Sequence, residues 1–330
     1  MKFGPVPLDK AEGAVLAHSL KTSGKAIRKG SVLSGADIAD LRREGITSLV
    51  VARIEPGDMA EDAAATKIGA ALATPGCRLT PAFTGRVNLV SDGPGIVRID
   101  SGAVAAMNAI DEGLTLATLP DLMRVDEGQL IATVKVIPYG VETAMVAAAV
   151  IALGSSAVRL SPFNPGRAQL VMTRTAGFKD SLLDKGHRVV ADRLAGLGME
   201  LDAPVIVDHT ETAVAEALDV SADMILILGA SATSDRGDVA PAGVVAAGGR
   251  IDRFGMPVDP GNLLFLGDLQ GVPVVGLPGC ARSPAMNGVD WVLERLAAGI
   301  PVDGAAIAAM GVGGLLKEMP GRPQPRQPRS

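Results

Sequence analysis

Met224-Ile225-Leu226-Ile227-Leu228-Gly229-Ala230-Ser231-Ala232-Thr233-Ser234-Asp235-Arg236-Gly237-Asp238-Val239-Ala240-Pro241 is the stretch that decides the architecture. Its opening apolar run, bounded by Asp223 and Gly229, has the length and continuity of a strand buried on both faces. Small residues follow, and a helix is expected from Asp238 to Ala247, stopped by Gly248-Gly249. Strand, small-residue loop, helix is the repeating unit of a parallel sheet covered by helices.

The same rhythm extends in both directions. Upstream, Ala168–Thr173 reads as a strand, Lys185–Leu197 as a helix ended by Gly198, Pro204–Val207 as a strand and Glu211–Leu218 as a helix. Downstream, Val272–Leu277 is a buried strand and Pro284–Ala298 a helix containing Trp291. Right-handed crossovers place the C-terminal ends of such strands on one edge, where ligands of open α/β sheets bind.

The turn-rich Pro162-Phe163-Asn164-Pro165-Gly166 separates this half from the first. Domains are expected at 1–164 and 165–302, followed by a C-terminal segment, 303–330, whose Pro/Arg-rich end from Pro320 cannot pack a core. In the first half, Val15–Leu20 and Ile46–Val51 read as strands around a helix at Ala36–Glu44, and Glu61–Ala73 as a second helix. Gly85–Val90, Gly95–Ile99 and Gln129–Ile137 are strand-like, which makes this half a smaller α+β domain with hairpin or barrel-like pairing. Met145–Val158 is almost unbroken apolar sequence, too short to span a bilayer, and reads as one buried helix.

Composition narrows the function. Aromatic residues are 2% of 330, too few for stacking platforms on single-stranded nucleic acid. Lys plus Arg is 31 against 36 for Asp plus Glu, a net charge of −5 that does not attract a polyanion. No nucleic-acid or membrane partner is expected. Cys77 and Cys280 are the only cysteines and read as free thiols; with no apolar signal segment at Met1–Pro5, they point to the cytoplasm. His18, His187 and His209 lack metal-site spacing and read as ordinary imidazoles. Gly311-Val312-Gly313-Gly314 has no βαβ unit after it and does not mark a dinucleotide site.

Three loops carry the chemistry. In the first, Gly229, Ala230 and Ala232 let a ligand approach the backbone, and Ser231, Thr233 and Ser234 supply hydroxyls. The helix start adds N–H groups, and Arg236 a fork of donors for phosphate. Asp235 and Asp238 would repel an anion unless Mg²⁺ or proton transfer is involved; the plain alternative is that Asp238 caps the helix. The second loop is Asp259-Pro260-Gly261-Asn262. The third, Pro278-Gly279-Cys280-Ala281-Arg282-Ser283-Pro284, reads as a helix entrance with Ser283 as N-cap, where Arg282 is favoured only if an anion is present.

These loops, in this order, resemble the molybdenum-cofactor biosynthesis domain of molybdopterin adenylyltransferase, molybdopterin molybdotransferase and gephyrin. The adenylyltransferase pattern G-G-T-G-x-x-x-R-D-x-x-P is similar to Gly229-Ala230-Ser231-Ala232 continuing to Arg236, Asp238 and Pro241, and the molybdotransferase Gly-Asp pair to Gly237-Asp238. The family's L-P-G-N-P-x-S segment resembles Leu277-Pro278-Gly279-Cys280-Ala281-Arg282-Ser283, and its D-x-x-G helix entrance resembles Asp184-Lys185-Gly186. The likeness spans about residues 166–300, with a weaker match of Lys29–Val51 to the segment preceding this domain in molybdotransferases. This chain departs from the pattern at Ala230, Ala232, Ala242 and Cys280, and one extra residue separates Arg236 from Asp238.

The resemblance implies a three-layer α/β fold holding molybdopterin, a pterin phosphate, and a homo-oligomer with a nucleotidyltransferase or molybdoenzyme-maturation partner. If the chain is catalytic, it implies adenylyl transfer or molybdate insertion with ATP and Mg²⁺. Asp238 and Asp235 would then serve as catalytic groups and Asp238 as the metal ligand, with Arg236 and Arg282 neutralising phosphate. A non-catalytic carrier or sensor and an ADP-ribose or nucleotide pyrophosphatase are the alternatives.

Overall fold

The structure, a computed structural model, describes residues 1–316. Contacts divide it into two compact units, Met1–Pro162 and a second beginning at Phe163. The expected disorder from Pro320 onward lies outside the described residues.

The first unit begins with an antiparallel sheet in which Ser48–Arg53 lies between Lys2–Pro7 and Val15–Leu16. The helix Gly35–Arg43 closes over it, burying Ile38 and Leu41. Ser34 caps this helix and Asp37 completes a capping box. The expected Val15–Leu20 strand breaks after Leu16, and Leu20–Lys21 pairs instead with Ala26–Ile27 as a small hairpin. Lys25 at its tip reaches Asp37 at 2.7 Å and Asp40 at 3.2 Å. The hydrogen bond from Lys25, then those from Ser34, hold the Asp37 carboxyl down to about 2. A carboxylate depressed in the folded state adds stability above its ordinary range and loses it as pH falls through the folded value. The acid limb of the wild-type unfolding curve is therefore expected to fall between about pH 4 and pH 2, a span set by the carboxylate range. Asp37→Asn should flatten that limb, as followed by circular dichroism.

The rest of the first unit is a four-stranded antiparallel sheet, ordered Leu114–Thr118, Leu130–Val136, Arg86–Ser91, Cys77–Leu79. A three-stranded sheet joins Arg124–Val125, Gly95–Ile99 and Val158–Pro162. Ile68 of the helix Glu61–Ala70 shares one core with Leu89, Val97, Met107 and Val146. The single apolar helix expected at Met145–Val158 is corrected. It runs from Thr143 to Leu153, stops at Gly154 with φ +58°, and the chain re-enters as a strand at Val158. Nor is it wholly buried, since Ile151 is 80% exposed. Apolar content alone does not show where a helix yields to a strand. No helix among the described residues is long and apolar enough to cross a membrane.

The second unit holds a seven-stranded sheet, labelled here in chain order. It comprises β1 (Gly166–Arg174), α1 (Asp180–Ala195), β2 (Met199–Leu201), β3 (Val205–Asp208), α2 (Glu211–Ala217), β4 (Met224–Leu228) and α3 (Val239–Ala246). There follow β5 (Arg250–Phe254), β6 (Phe265–Leu269), β7 (Val272–Leu277), α4 (Gly288–Ala297) and α5 (Gly304–Ala309). The order is β2-β1-β4-β7-β6-β5, with β3 paired to the C-terminal half of β1. Strands β1 to β4 and β7 run parallel, but β6 is antiparallel to both neighbours. The sequence predicts a parallel sheet, which β1 to β4 and β7 form, and does not foresee the reversed β6. Gly271 makes a tight turn from β6 to β7, with no room for a crossover helix, so that pair must be antiparallel.

Alternation along the strands sends side chains to opposite faces. Leu170, Met172, Leu226 and Val275 pack with Leu183 and Val190 of α1 and with Val292 of α4. Val171, Ile225, Ile227 and Val274 pack with Val214 of α2 and Val244 of α3. The segment after residue 302 belongs to this core, since Ile307 and Met310 are buried in the first cluster.

Candidate functional site

Strand direction gathers the loops. The chain leaves β1, β3, β4 and β7 at one edge of the sheet. Because β6 is reversed, its first residue, Phe265, pairs with Gly276 near the end of β7, and Phe254 at the end of β5 pairs with Phe265. The turn from Gly255 to Leu264 therefore lies on the same edge. The loops after 228, around 260 and after 277 all open there, joined by Thr175–Lys179 and by Asp208-His209.

Thr173, fully buried near the end of β1, ties two of these loops together. The Ala230 backbone N–H donates to its Oγ1 at 2.8 Å, and the same hydroxyl lies 2.8 Å from His209 Nδ1. Next to Ala230, the Gly229 carbonyl accepts from Arg282 Nη2 at 2.8 Å. The Arg282 guanidinium stands 5.9 Å from the centre of the Phe178 ring. Its Nε is buried with no hydrogen-bond partner. Burial alone draws its pKa below the ordinary value, and no carboxylate among the described residues offsets it. A desolvated cation without a counter-charge is costly and asks for an anion.

In the first loop, Ser231, Ala232 and Ser234 are exposed and Thr233 is half-buried. Both oxygens of Asp238 are engaged. Oδ1 accepts from Val239 N at 2.9 Å, and Oδ2 from Ser234 N at 3.0 Å and Ser234 Oγ at 3.3 Å. The Ser234 amide is the main reason its pKa lies below the usual carboxylate range. Asp235 accepts from Gly237 N at 2.8 Å, closing a local turn. Arg236 Nη1 donates to the Ile251 carbonyl at 2.8 Å, which directs it toward β5. No group of three or more His, Cys, Asp or Glu among the described residues could hold a metal ion. With Asp238 occupied as a cap, these residues do not fit a protein-held Mg²⁺ site.

The second loop is braced from two sides. The Asp259–Pro260 peptide is cis, and the Pro260 carbonyl accepts from Gly288 N at 2.8 Å at the start of α4. Gly261 has φ +142°, and a Cβ there would lie 2.8 Å from Gly288 N, so only glycine fits. Asp259 N donates to the Gly314 carbonyl, and Leu316 N to the Asp259 carbonyl. Asp259 and Asn262 themselves are exposed.

Two local readings are corrected. The helix after β7 does not begin at Pro284 with Ser283 as cap. Gly279–Arg282 forms a 3-10 turn, and α4 starts at Gly288 behind an Asn287–Asp290 capping box. Asn287 is the stronger cap because Asp290 answers its backbone N–H. Arg282 therefore sits in the turn rather than at a helix entrance. Asp184 and Lys185 do not open α1 either, which begins at Asp180; both are exposed on its second turn. Gly186 beside them is buried, and a Cβ there would lie 2.9 Å from Leu228 and 3.7 Å from Arg282.

The Gly279–Arg282 turn is clamped by Arg193 of α1. Its guanidinium pairs with Asp290 at 2.6 Å and donates to the carbonyls of Ala281, Ser283 and Ala285. Cys280 is exposed and free, and partial burial of its sulfur pushes the thiol up. That favours the thiol over the thiolate at neutral pH, the less nucleophilic form. A cleft of about 540 Å³ opens beside these loops, lined by Arg174, Phe178, Asp180, Asp208 and His209 together with Thr175, Ala176 and Gly177. Sequence reasoning did not select Thr173, Phe178, Arg193 or His209. Thr175-Ala176-Gly177 after an apolar strand carried the same small-residue signal as the loops that were selected.

A family model described as a domain of unknown function (DUF8806) matches residues 5–53. No curated protein matches. Among solved structures, the chain is similar to a molybdopterin biosynthesis moea protein from Pyrococcus horikosii, at 12% identity over 90% of this chain and 75% of that one, TM-score 0.29. It is similar to a molybdenum cofactor biosynthesis protein B at 16% identity over 41% of this chain and 86% of that one, TM-score 0.27. A molybdenum cofactor biosynthesis protein from Pyrococcus furiosus is 13% identical over 93% of this chain and 65% of that one, TM-score 0.23. Overlaps this loose assign no activity, which has to come from the loops themselves.

Proposed function

We infer that the second unit binds molybdopterin, with its phosphate beside Arg282, in molybdenum-cofactor biosynthesis. The observation that carries the reading is the half-buried Arg282 guanidinium, whose Nε is buried without a hydrogen-bond partner and which has no carboxylate partner, among the loops whose sequence resembles that family. The Ser231 and Thr233 hydroxyls and the Ala232 backbone would complete the phosphate contacts. The bound pterin would supply the dithiolene for molybdenum chemistry; the chain's residues bind and orient it.

A charge-assisted hydrogen bond contributes roughly 1.5–3 kcal/mol. Arg282→Leu is therefore expected to weaken molybdopterin binding about ten- to hundredfold, measured by fluorescence of the pterin after oxidation. A wild-type chain that ignores molybdopterin at high concentration ends this reading.

A non-catalytic carrier is the version favoured by Asp238 and Asp235, whose carboxylates are spent on turn and cap hydrogen bonds. The expected result with molybdopterin, ATP, Mg²⁺ and molybdate is binding without AMP-pterin formation or cleavage, and Asp238→Asn should bind like wild type. Turnover that disappears in Asp238→Asn would make the protein an enzyme instead.

A further inference from the structure

The strand-end edge has two chemically opposite halves. Around Arg282 there is a half-buried cation and no carboxylate acting on it. The cleft at the ends of β1 and β3 is instead lined by the carboxylates of Asp180 and Asp208, and its cation, Arg174, lies 4.0 Å from Asp208. A phosphate in that cleft would face two carboxylates and one arginine already shared. Phosphate therefore belongs at Arg282, and the cleft suits a neutral group whose N–H donors can meet carboxylates.

The cleft also contains an anchored imidazole. Thr173 Oγ1 receives the Ala230 N–H and lies 2.8 Å from His209 Nδ1. With the Thr173 hydroxyl as donor to Nδ1, the ring proton sits on Nε2, and this is the tautomer the subsite requires. Thr173 is fully buried, which holds the imidazole in one orientation. Phe178 adds a flat apolar wall and, with Arg282 near its ring, marks the boundary between the halves. The volume, about 540 Å³, is within the range of small-molecule pockets.

We propose that this cleft is the subsite for the ligand's heterocyclic head, a ring carrying adjacent amino and oxo groups of the kind pterins and guanine share. Asp180 and Asp208 accept from the ring N–H groups, His209 Nε2 donates to the ring oxygen, and Phe178 faces the ring plane. Thr173 is the positioning residue that sets the His209 tautomer. The assignment rests on the molybdopterin reading only for the identity of the ring.

The test uses the full chain and separates ring from phosphate with 6-hydroxymethylpterin, guanosine and inorganic phosphate as probes. His209→Asn, and Asp180→Asn combined with Asp208→Asn, are expected to weaken 6-hydroxymethylpterin by up to about tenfold, the loss of a typical hydrogen bond, and to leave phosphate binding unchanged. Arg282→Leu should do the reverse. Thr173→Val should behave like His209→Asn, and Thr173→Ser should restore binding. With ¹⁵N-labelled histidine, the His209 ring should show a protonated Nε2 whose resonance moves with the pterin and not with phosphate. A proton on Nδ1, no binding of either ring by wild type, or equal ring affinity in the variants would overturn the subsite. Ring binding without molybdopterin binding, or a preference for guanosine, supports the subsite and sinks the molybdopterin reading alone.

Discussion

Replacing Arg193 with alanine is expected to cost the second unit about 3–5 kcal/mol, the range for breaking a buried ion pair by removing one partner. The Arg193 and Asp290 side chains are only 10% and 16% exposed, so little solvent screens their contact. The loss also orphans the Ala281, Ser283 and Ala285 carbonyls, and leaves Asp290 with the Asn287 N–H as its remaining partner. Such a cost is a large part of the stability of an ordinary domain. Urea unfolding followed by Trp291, the chain's one tryptophan and the neighbour of Asp290, would report it. Arg193→Lys should rescue little, because a single ammonium cannot satisfy so many acceptors spread along one turn. A variant within about 1 kcal/mol of wild type, the scale of an exposed pair, would show that the clamp is ornamental.

Phe265→Ala should be comparably severe, at about 3–5 kcal/mol. Phe265 is fully buried, and its ring lies over Gly276 on the paired strand, where a Cβ would come within 2.0 Å of a ring carbon. The glycine is the space the ring fills, so neither neighbour can move in once the ring is gone. Gly276→Ala tests the same contact from the other side, and overpacking there should cost about 1–3 kcal/mol. Both losses are read as shifts in the urea midpoint at constant slope.

Much of the second unit was legible because its strands are continuous apolar runs and a glycine stands at or just after the ends of α1, α3 and α4. Met224–Leu228 and Val272–Leu277 are observed at the boundaries their composition gives. What escaped was decided by long-range partners. The reversal of β6 depends on a turn at Gly271, and the true start of α4 on an Asn287–Asp290 exchange hidden beyond a proline that looked like a helix opening. Thr173 and His209 are 36 residues apart in the chain, and only the pairing of β1 with β3 makes one orient the other. The site loops were visible as small-residue turns, and Asp238 as a helix cap was one of the two readings its position offered, whereas the Ile251 carbonyl that holds Arg236 cannot be inferred from spacing.

The residues after Val302 act as a brace rather than as an appendage. Ile307 and Met310 fill sockets in the core, and the Gly314 carbonyl and Leu316 amide clasp the peptide of Asp259 like the two jaws of a staple. A fragment cut at the last strand-covering helix would retain every recognisable motif and still lose the support that shapes one wall of its own binding edge.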